Sequence, residues 1–463
     1  MTVRRIHVAL LPVLLALAFA PARAATARAA AAPRNVNTST LAGNQNETAI
    51  AIQKTDPMNI TGTSNVDAGG GLVHVWSSDG GRTWSHDIIA NGGPLGVACC
   101  DAQMAADEFG NIFLVYIANA VRVAISTDGG ATFQKLALLT PRGSVPDALL
   151  RLGKLPSGDQ PSIAVGAGQV WSSWTSFSNG KIQASGAAVT GLGQVGPFTP
   201  AQTAVGHTTG DFGDTAIGPD GQVMVTYQDP TGGEGPATIY TDLDPDGIGP
   251  LGFQQTGVVT VTNVGGFDYI PAQPNRSVDA EAGLAWDRTG GIHNGRLYIM
   301  YTTEQPPESN NMDVQLRYSD DQGVTWSPEL RVNDDATTSS QFMPRISLDQ
   351  TTGNVAISWY DCRNDLGNHG PGDTNGRPND DAVMYGTVSK DGGQSVVPNF
   401  RIGAGVSNSN DANSGLDYGD YEGMDFHAGA FYPLWADNSN STHDNPDGKL
   451  HALDLYTARV RVP

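Results

Sequence analysis

Residues 77–84 read SSDGGRTW, and the same order of residue types returns as STDGGATF at 126–133, SDDQGVTW at 319–326 and, more loosely, SKDGGQSV at 389–396. A run of strand character precedes each copy: GLVHVW, VRVAI, DVQLRY and VMYGTV. The octapeptide is therefore expected to be a hairpin turn. Its Ser hydroxyl and Asp carboxylate would bond turn amides, its Gly residues would take positive φ, and its aromatic residue would pack beneath. Turn geometry alone accounts for the fixed residue types, so the octapeptide marks a fold rather than a site.

A longer pattern surrounds it: a polar start, an apolar strand, a turn around Gly, then a strand ending near an aromatic residue. Seven copies lie at 46–64, 100–117, 159–176, 211–229, 278–302, 343–361 and 420–437, the first being the weakest. One such hairpin plus one octapeptide hairpin makes a four-stranded unit, and units repeating at this spacing are propeller blades. The expected fold is all-β, a β-propeller of four-stranded blades. Seven hairpins favour seven blades, with six the alternative if the first copy is spurious.

The four octapeptides, set between strands at blade-like spacing, resemble the Asp-box, or BNR, repeat of sialidase-like propellers. Two copies match fully, one has Phe133 for Trp, and the fourth has Ser395 and Val396 in place of Thr and the aromatic. The resemblance implies that the Asp-box turns lie on the face away from substrate, so Asp79, Asp128, Asp321 and Asp391 are not expected to be catalytic. It also implies a glycosidase site with three arginines for the sialic acid carboxylate, a Tyr nucleophile activated by a Glu, and an Asp as acid and base.

On that opposite face, hairpin topology places the starts of the inner strands and the exits of the second strands around a channel mouth. The starts carry Glu47, Asp101, Asp159, Asp211, Asp214, Asp279, Glu281, Arg345, Asp420, Tyr421 and Glu422; the exits carry Asp229, Glu304, Asp361, Arg363 and Asp437. The mouth is strongly acidic, which raises carboxyl pKa values or recruits a cation. Carried onto this sequence, the resemblance nominates Arg345 in PRIS, Asp361 and Arg363 in WYDCRND, and Asp420, Tyr421 and Glu422 in GDYEGMDF, with Tyr360 as a second tyrosine. Along a regular strand Tyr421 and Glu422 point to opposite sides, whereas Asp420 and Glu422 share one. The chain departs from the family in having no R-I-P near its start and no third arginine of known direction, because Arg276 and Arg288 fall in loops. Sialidase activity proper is therefore not expected, and a non-catalytic glycan- or protein-binding scaffold stands as the alternative to a glycosidase.

Residues 242–249 read DLDPDGIG. Asp242, Asp244 and Asp246 alternate ahead of a Gly, a spacing that can hold Ca²⁺, although Phe253 stands where an EF-hand requires Glu. Calcium is the only cofactor expected. Of three cysteines, Cys99 and Cys100 are adjacent and Cys362 is distant; a vicinal bridge and a bridge from Cys362 to one of the pair both remain open, and a structural bridge is expected over a functional thiol.

The chain opens with MTVRR, an apolar run and APARA, which reads as a secretory signal peptide over 1–24, followed by a disordered segment over 25–40 and one propeller over 41–463. Secretion to the periplasm or the exterior is expected. Removing the signal takes the formal net charge from −21 to −24. Such acidity argues against nucleic acid and anionic membranes as partners, and no run is long enough for membrane insertion. A glycan or glycoprotein partner and a monomer are expected. Phosphate loops, nucleophile elbows and paired-histidine metal motifs are absent from the sequence.

Overall fold

Beyond Met1, the computed structural model describes residues 33–66, 70–140, 158–206, 209–412 and 414–462. The signal expected over 1–24 otherwise lies outside them, as does 25–32. Seven antiparallel sheets, each of four or five strands, follow one another along the chain. Blade 1 is built from Ala49–Ile52, Ile60–Asn65, Leu72–Ser77 and Ser85–Ile89, and blade 2 from Cys100–Ala106, Ile112–Ile117, Val121–Ser126 and Gln134–Leu138. Blade 3 begins with Gly158–Gly166 and Gln169–Ser176, blade 4 with Asp211–Ile217 and Val223–Asp229, blade 5 with Gly283–Trp286 and Leu297–Glu304, and blade 6 with Gln341–Leu348 and Val355–Asp361. Blade 7 takes Gly423–His427, Ala430–Asp437 and Asp454–Ala458 from the end of the chain. Each expected hairpin is the inner pair of one blade, the weak first copy included, so the count is seven.

Blade 7 closes the ring with a strand from the opposite end of the chain. Asn35–Asn37 pairs antiparallel with Tyr456–Ala458. Asn35 Nδ2 reaches the Ile402 carbonyl of blade 6 at 2.8 Å, and Asn37 Nδ2 bonds Asp454. Residues 35–37 are thus an integral strand rather than part of a disordered segment over 25–40; polar residues without apolar alternation concealed them. Inner strands of successive blades pack side by side around the ring, blade 7 against blade 1.

The core lies between blades. Tyr116, Trp174, Tyr227, Tyr301, Trp359 and Trp435, the aromatic residues that end the second strands, are all among the most buried large side chains. Each inner strand starts at the face where its second strand ends, and each third strand runs away from that face. The turn after the third strand therefore sits opposite the channel mouth.

That turn is where the octapeptides fall, in blades 1, 2, 5 and 6. In SSDGGRTW the Ser77 hydroxyl donates to Asp79 Oδ1 (2.9 Å) and accepts the Gly81 amide (3.0 Å), while Asp79 accepts the amides of Arg82 and Thr83 and the Thr83 hydroxyl (2.7 Å). Ser319, Asp321 and Thr325 repeat the pattern at 2.6–2.8 Å, with Gln322 at φ 60° where the other copies have Gly. DLDPDGIG straddles the end of the third strand of blade 4, Ala237–Asp244.

Candidate functional site

The mouth owes its shape to a recurring irregularity at the blade entrances. The inner-strand register slips by one residue between Cys100 and Gln103, Asp159 and Ser162, Asp211 and Asp214, and Phe342 and Arg345. Within each slip one residue other than Gly takes positive φ: Asp101 (58°), Gln160 (41°), Phe212 (53°) and Met343 (49°); Glu47 (53°) and Glu281 (47°) do so two residues ahead of the first paired residue of blades 1 and 5. Such bulges re-aim side chains, and the left-handed conformation costs residues with a Cβ about 1–2 kcal/mol each. Tyr421 holds the equivalent place ahead of Gly423, with Gly419 taking the positive φ.

Gln160, Phe212, Glu281 and Tyr421 line an open pocket together with Gln103, Asp214 and Arg345, each two positions on from a left-handed residue, and with Asp279 and Asp420. Arg345 of blade 6 reaches across the channel to Gln103 Oε1 of blade 2 at 3.2 Å. Arg276 extends from the hairpin Asp268–Ile270/Gln273–Val278, which joins blades 4 and 5, and its fork grips Asp420 of blade 7 through Nε–Oδ1 (2.5 Å) and Nη2–Oδ2. Asp417 fastens that hairpin by accepting the backbone amides of Asn275 (2.8 Å) and Arg276 (2.9 Å). Gln160 of blade 3 donates its side-chain amide to Asp420 (3.1 Å) and its backbone amide to Asp101 (3.1 Å).

Crowded, desolvated carboxyls hold their protons. Burial, then the nearby Asp420 charge, pushes Glu47 up to about 7. Burial and then Glu47 raise Asp101 well above its ordinary value, and Asp211 rises to about 6 mainly through burial. Across the channel, burial raises Asp279, while Glu281 is raised by burial and then by Asp279, with Arg345 opposing. Glu281 Oε1 and the Tyr421 hydroxyl are buried without a hydrogen-bond partner. The Tyr421 phenol, raised by burial and by Glu47 and Asp101, stays neutral. An aromatic pair stands at the edge: Phe212, which lines the pocket, meets Phe267 edge to face at 6.1 Å, and Phe267 is 43% exposed.

Of the six nominated catalytic residues, Arg345, Asp420 and Tyr421 share the pocket, joined by Asp214, Asp279 and Glu281 from the other expected mouth residues. Glu422 does not: it turns beneath the mouth and accepts from Thr48 (2.8 Å), the Ala436 amide (3.2 Å) and the Tyr360 hydroxyl. Asp420 and Glu422 consequently do not share a side, and Tyr360 is buried between blades. Asp361 and Arg363 pair with each other at 2.8 Å outside the channel. Arg363 also reaches Asp334 and Asn399 and stacks on Tyr385, while Asp361 takes the Trp359 indole N–H at 2.7 Å. No two-arginine clamp forms, because Arg345 and Arg363 have no partner in common.

Asp242, Asp244 and Asp246 are not gathered either. Asp242 accepts from Tyr227 (2.9 Å) and Thr256, Asp244 from the turn amides of Asp246 and Gly247, and Asp246 from Leu251. Asp244 and Asp246 serve a turn as the octapeptide carboxylates do, with Asp244 Oδ2 buried and without a hydrogen-bond partner, whereas Asp242 ties strands of its blade together. Cys99 and Cys100 form a vicinal disulfide immediately ahead of Asp101, and Cys362 is a buried free thiol. Arg276, Gln103, Gln160 and the aromatic pair escaped the sequence reading. Aligning the hairpins would have found Gln103, Gln160 and Phe212, whereas Arg276 lies outside the repeat. Arg288 points the other way, donating to the carbonyls of Ile217 (2.7 Å) and Val165 (3.1 Å). No helix among the described residues is long and apolar enough to cross a membrane.

No family model matches the chain, and neither does any curated protein. Among solved structures it is similar to a Dyadobacter fermentans protein of unknown function, at 12% identity and TM-score 0.47 over 93% of this chain and 98% of that one. It is also similar to the GH93 α-L-arabinofuranosidase of Fusarium graminearum (14%, TM-score 0.43, 70% and 92%) and to phage phi92 endosialidase (11%, TM-score 0.47, 93% and 69%). The seven-bladed propeller itself follows from the strand order.

Proposed function

We propose that this propeller is an exported glycoside hydrolase that works at the channel mouth, with Glu281 as proton donor and Asp420 as the ionised partner carboxylate. The observation that carries this reading is the contrast between two carboxyls in one pocket. Glu281 has a buried oxygen without a donor, an environment that keeps it protonated. Asp420 lies in the fork of Arg276, an environment that suits a charged carboxylate. Glycoside hydrolysis needs such a pair, one group to protonate the leaving oxygen and one to support the developing positive charge. Phe212 and Phe267 supply apolar faces for sugar rings, while the Arg345 guanidinium and the Tyr421 hydroxyl offer donors for sugar oxygens. Sialic acid is not the proposed substrate, because Arg276 is committed to Asp420 and the resemblance implies three arginines for its carboxylate.

The test is a panel of fluorogenic glycosides and polysaccharides, with reducing ends measured for wild type and Glu281→Gln. Loss of a proton donor is expected to lower kcat by about 10²–10⁴-fold while oligosaccharide binding persists. Full activity in Glu281→Gln would overturn the assignment. A second reading, a glycan-binding scaffold, is favoured by one feature: Arg276 and Gln160 between them occupy both oxygens of Asp420. Binding without turnover in the wild type would select it.

A further inference from the structure

The loop between the second and third strands of blade 6 follows Asp361 and ends at Val383, on the mouth face but outside the channel. A bridge between Leu366 and Pro378 folds it back on itself. This brings Asp365, Asp380 and Asp381 together, with one carboxylate oxygen of each within 4.8 Å of the others. All three are buried, Asp380 to 3% exposure. No ion pair to Lys, Arg or His among the described residues involves them.

Hydrogen-bond donors surround two of the three carboxylates. Asp365 accepts the amides of Gly367 (3.3 Å), Asp380 (2.8 Å) and Asp381 (2.9 Å). Asp381 accepts the Thr374 amide (2.5 Å) and hydroxyl (2.7 Å) and the Asn408 side-chain amide (3.0 Å). Each of these donors offsets part of the negative charge of a carboxylate. Asp380 breaks the pattern: Oδ2 accepts from Asn375 (2.9 Å), but Oδ1 is buried with no hydrogen-bond partner. Three buried carboxylates with no cationic partner, one with an oxygen left open, are costly unless a cation offsets their charge.

We propose that Asp365, Asp380 and Asp381 bind a Ca²⁺ ion that fastens this loop to blade 6. Three carboxylates with no sulfur or imidazole nearby suit a hard cation. Ca²⁺ accepts several protein oxygens in flexible geometry, whereas Mg²⁺ demands near-ideal octahedral geometry and usually keeps several waters. The ion would also order the neighbouring blade junction, because Asn408, which donates to Asp381, exchanges hydrogen bonds with Asn438 of blade 7. The acidic turn at Asp242–Asp246 is not the site proposed, since Asp242 is taken up by Tyr227 and Thr256 and the three carboxylates do not come together as a group.

The experiment strips the purified protein with EDTA and follows Ca²⁺ addition by calorimetry and thermal unfolding, with Mg²⁺ as a parallel arm. The expected result is one Ca²⁺ site, a rise in Tm of about 3 °C at a hundredfold excess over Kd, and little response to Mg²⁺. Asp380→Asn should remove the Ca²⁺ response while leaving the circular dichroism spectrum intact, because the lost oxygen has no protein partner; Asp246→Asn should retain the response. Absence of a Ca²⁺ response in wild type, its survival in Asp380→Asn, or its loss in Asp246→Asn instead would each overturn the proposal.

Discussion

Glu47 offers a direct measure of how far the mouth depends on protonated acids. It is buried at the entrance to blade 1, with Asn65 donating to its Oε2, and its carboxyl titrates at about 7 in the fold against an ordinary value of 4.5. Between these two values the folded state binds a proton that the unfolded chain has released, so stability falls as pH rises through the window. The contribution is fully present below pH 4.5 and gone above about 7. At about 1.4 kcal/mol per pH unit the window is worth about 3 kcal/mol, or ~3–4 °C in Tm for a chain of this length. Asp454 and Glu422, raised to about 7 and about 8 mainly by burial, add to the fall in the wild type. The difference between wild type and Glu47→Gln therefore reports Glu47 together with the part of the Asp101 rise that Glu47 causes. Thermal unfolding at pH 5 and pH 8 is expected to show a drop in Tm in the wild type that is smaller by about 3 °C in Glu47→Gln. An equal drop in both proteins, or a Tm that rises with pH, would refute the reasoning.

Three further outcomes are expected. Arg276→Met leaves Asp420 without its fork, and because Arg276 is 34% exposed the stability cost is discounted to about 2 kcal/mol by denaturant unfolding; adding Asp420→Asn should recover most of that stability but not glycan turnover. Asp321→Ala removes acceptors for the Thr325 amide and hydroxyl and for the Ser319 hydroxyl, costing about 1 kcal/mol while kcat/KM stays unchanged, since the turn lies on the opposite face. Deleting residues 33–40 removes the closing strand of blade 7 and should lower Tm by about 4 °C in a thermal scan.

What the sequence made legible, and what it did not, follows from repetition. The blades could be read because hairpin and octapeptide recur, so each weak signal was supported by its copies. The bulges could not, because Asp101, Gln160, Phe212 and Met343 take positive φ without the glycine that would announce it. At the blade 7 entrance the left-handed residue is Gly419, and there Tyr421 lines the pocket while Glu422 turns beneath it to Thr48 and Tyr360. Arg276 sits in a hairpin outside the repeat, where no copy predicts its direction, yet it carries the ion pair of the site. The two acidic stretches make the same point from opposite sides. DLDPDGIG has ligand-like spacing but straddles the end of a third strand, where Asp242 accepts the Tyr227 and Thr256 hydroxyls while Asp244 and Asp246 accept turn amides. Asp365 and Asp380 are 15 residues apart and have no such spacing, yet a folded-back loop joins them with Asp381 around an oxygen that has no donor. For an acidic residue in this fold, position within the blade decides whether its charge is spent on the backbone or left available for a proton, a substrate or a cation.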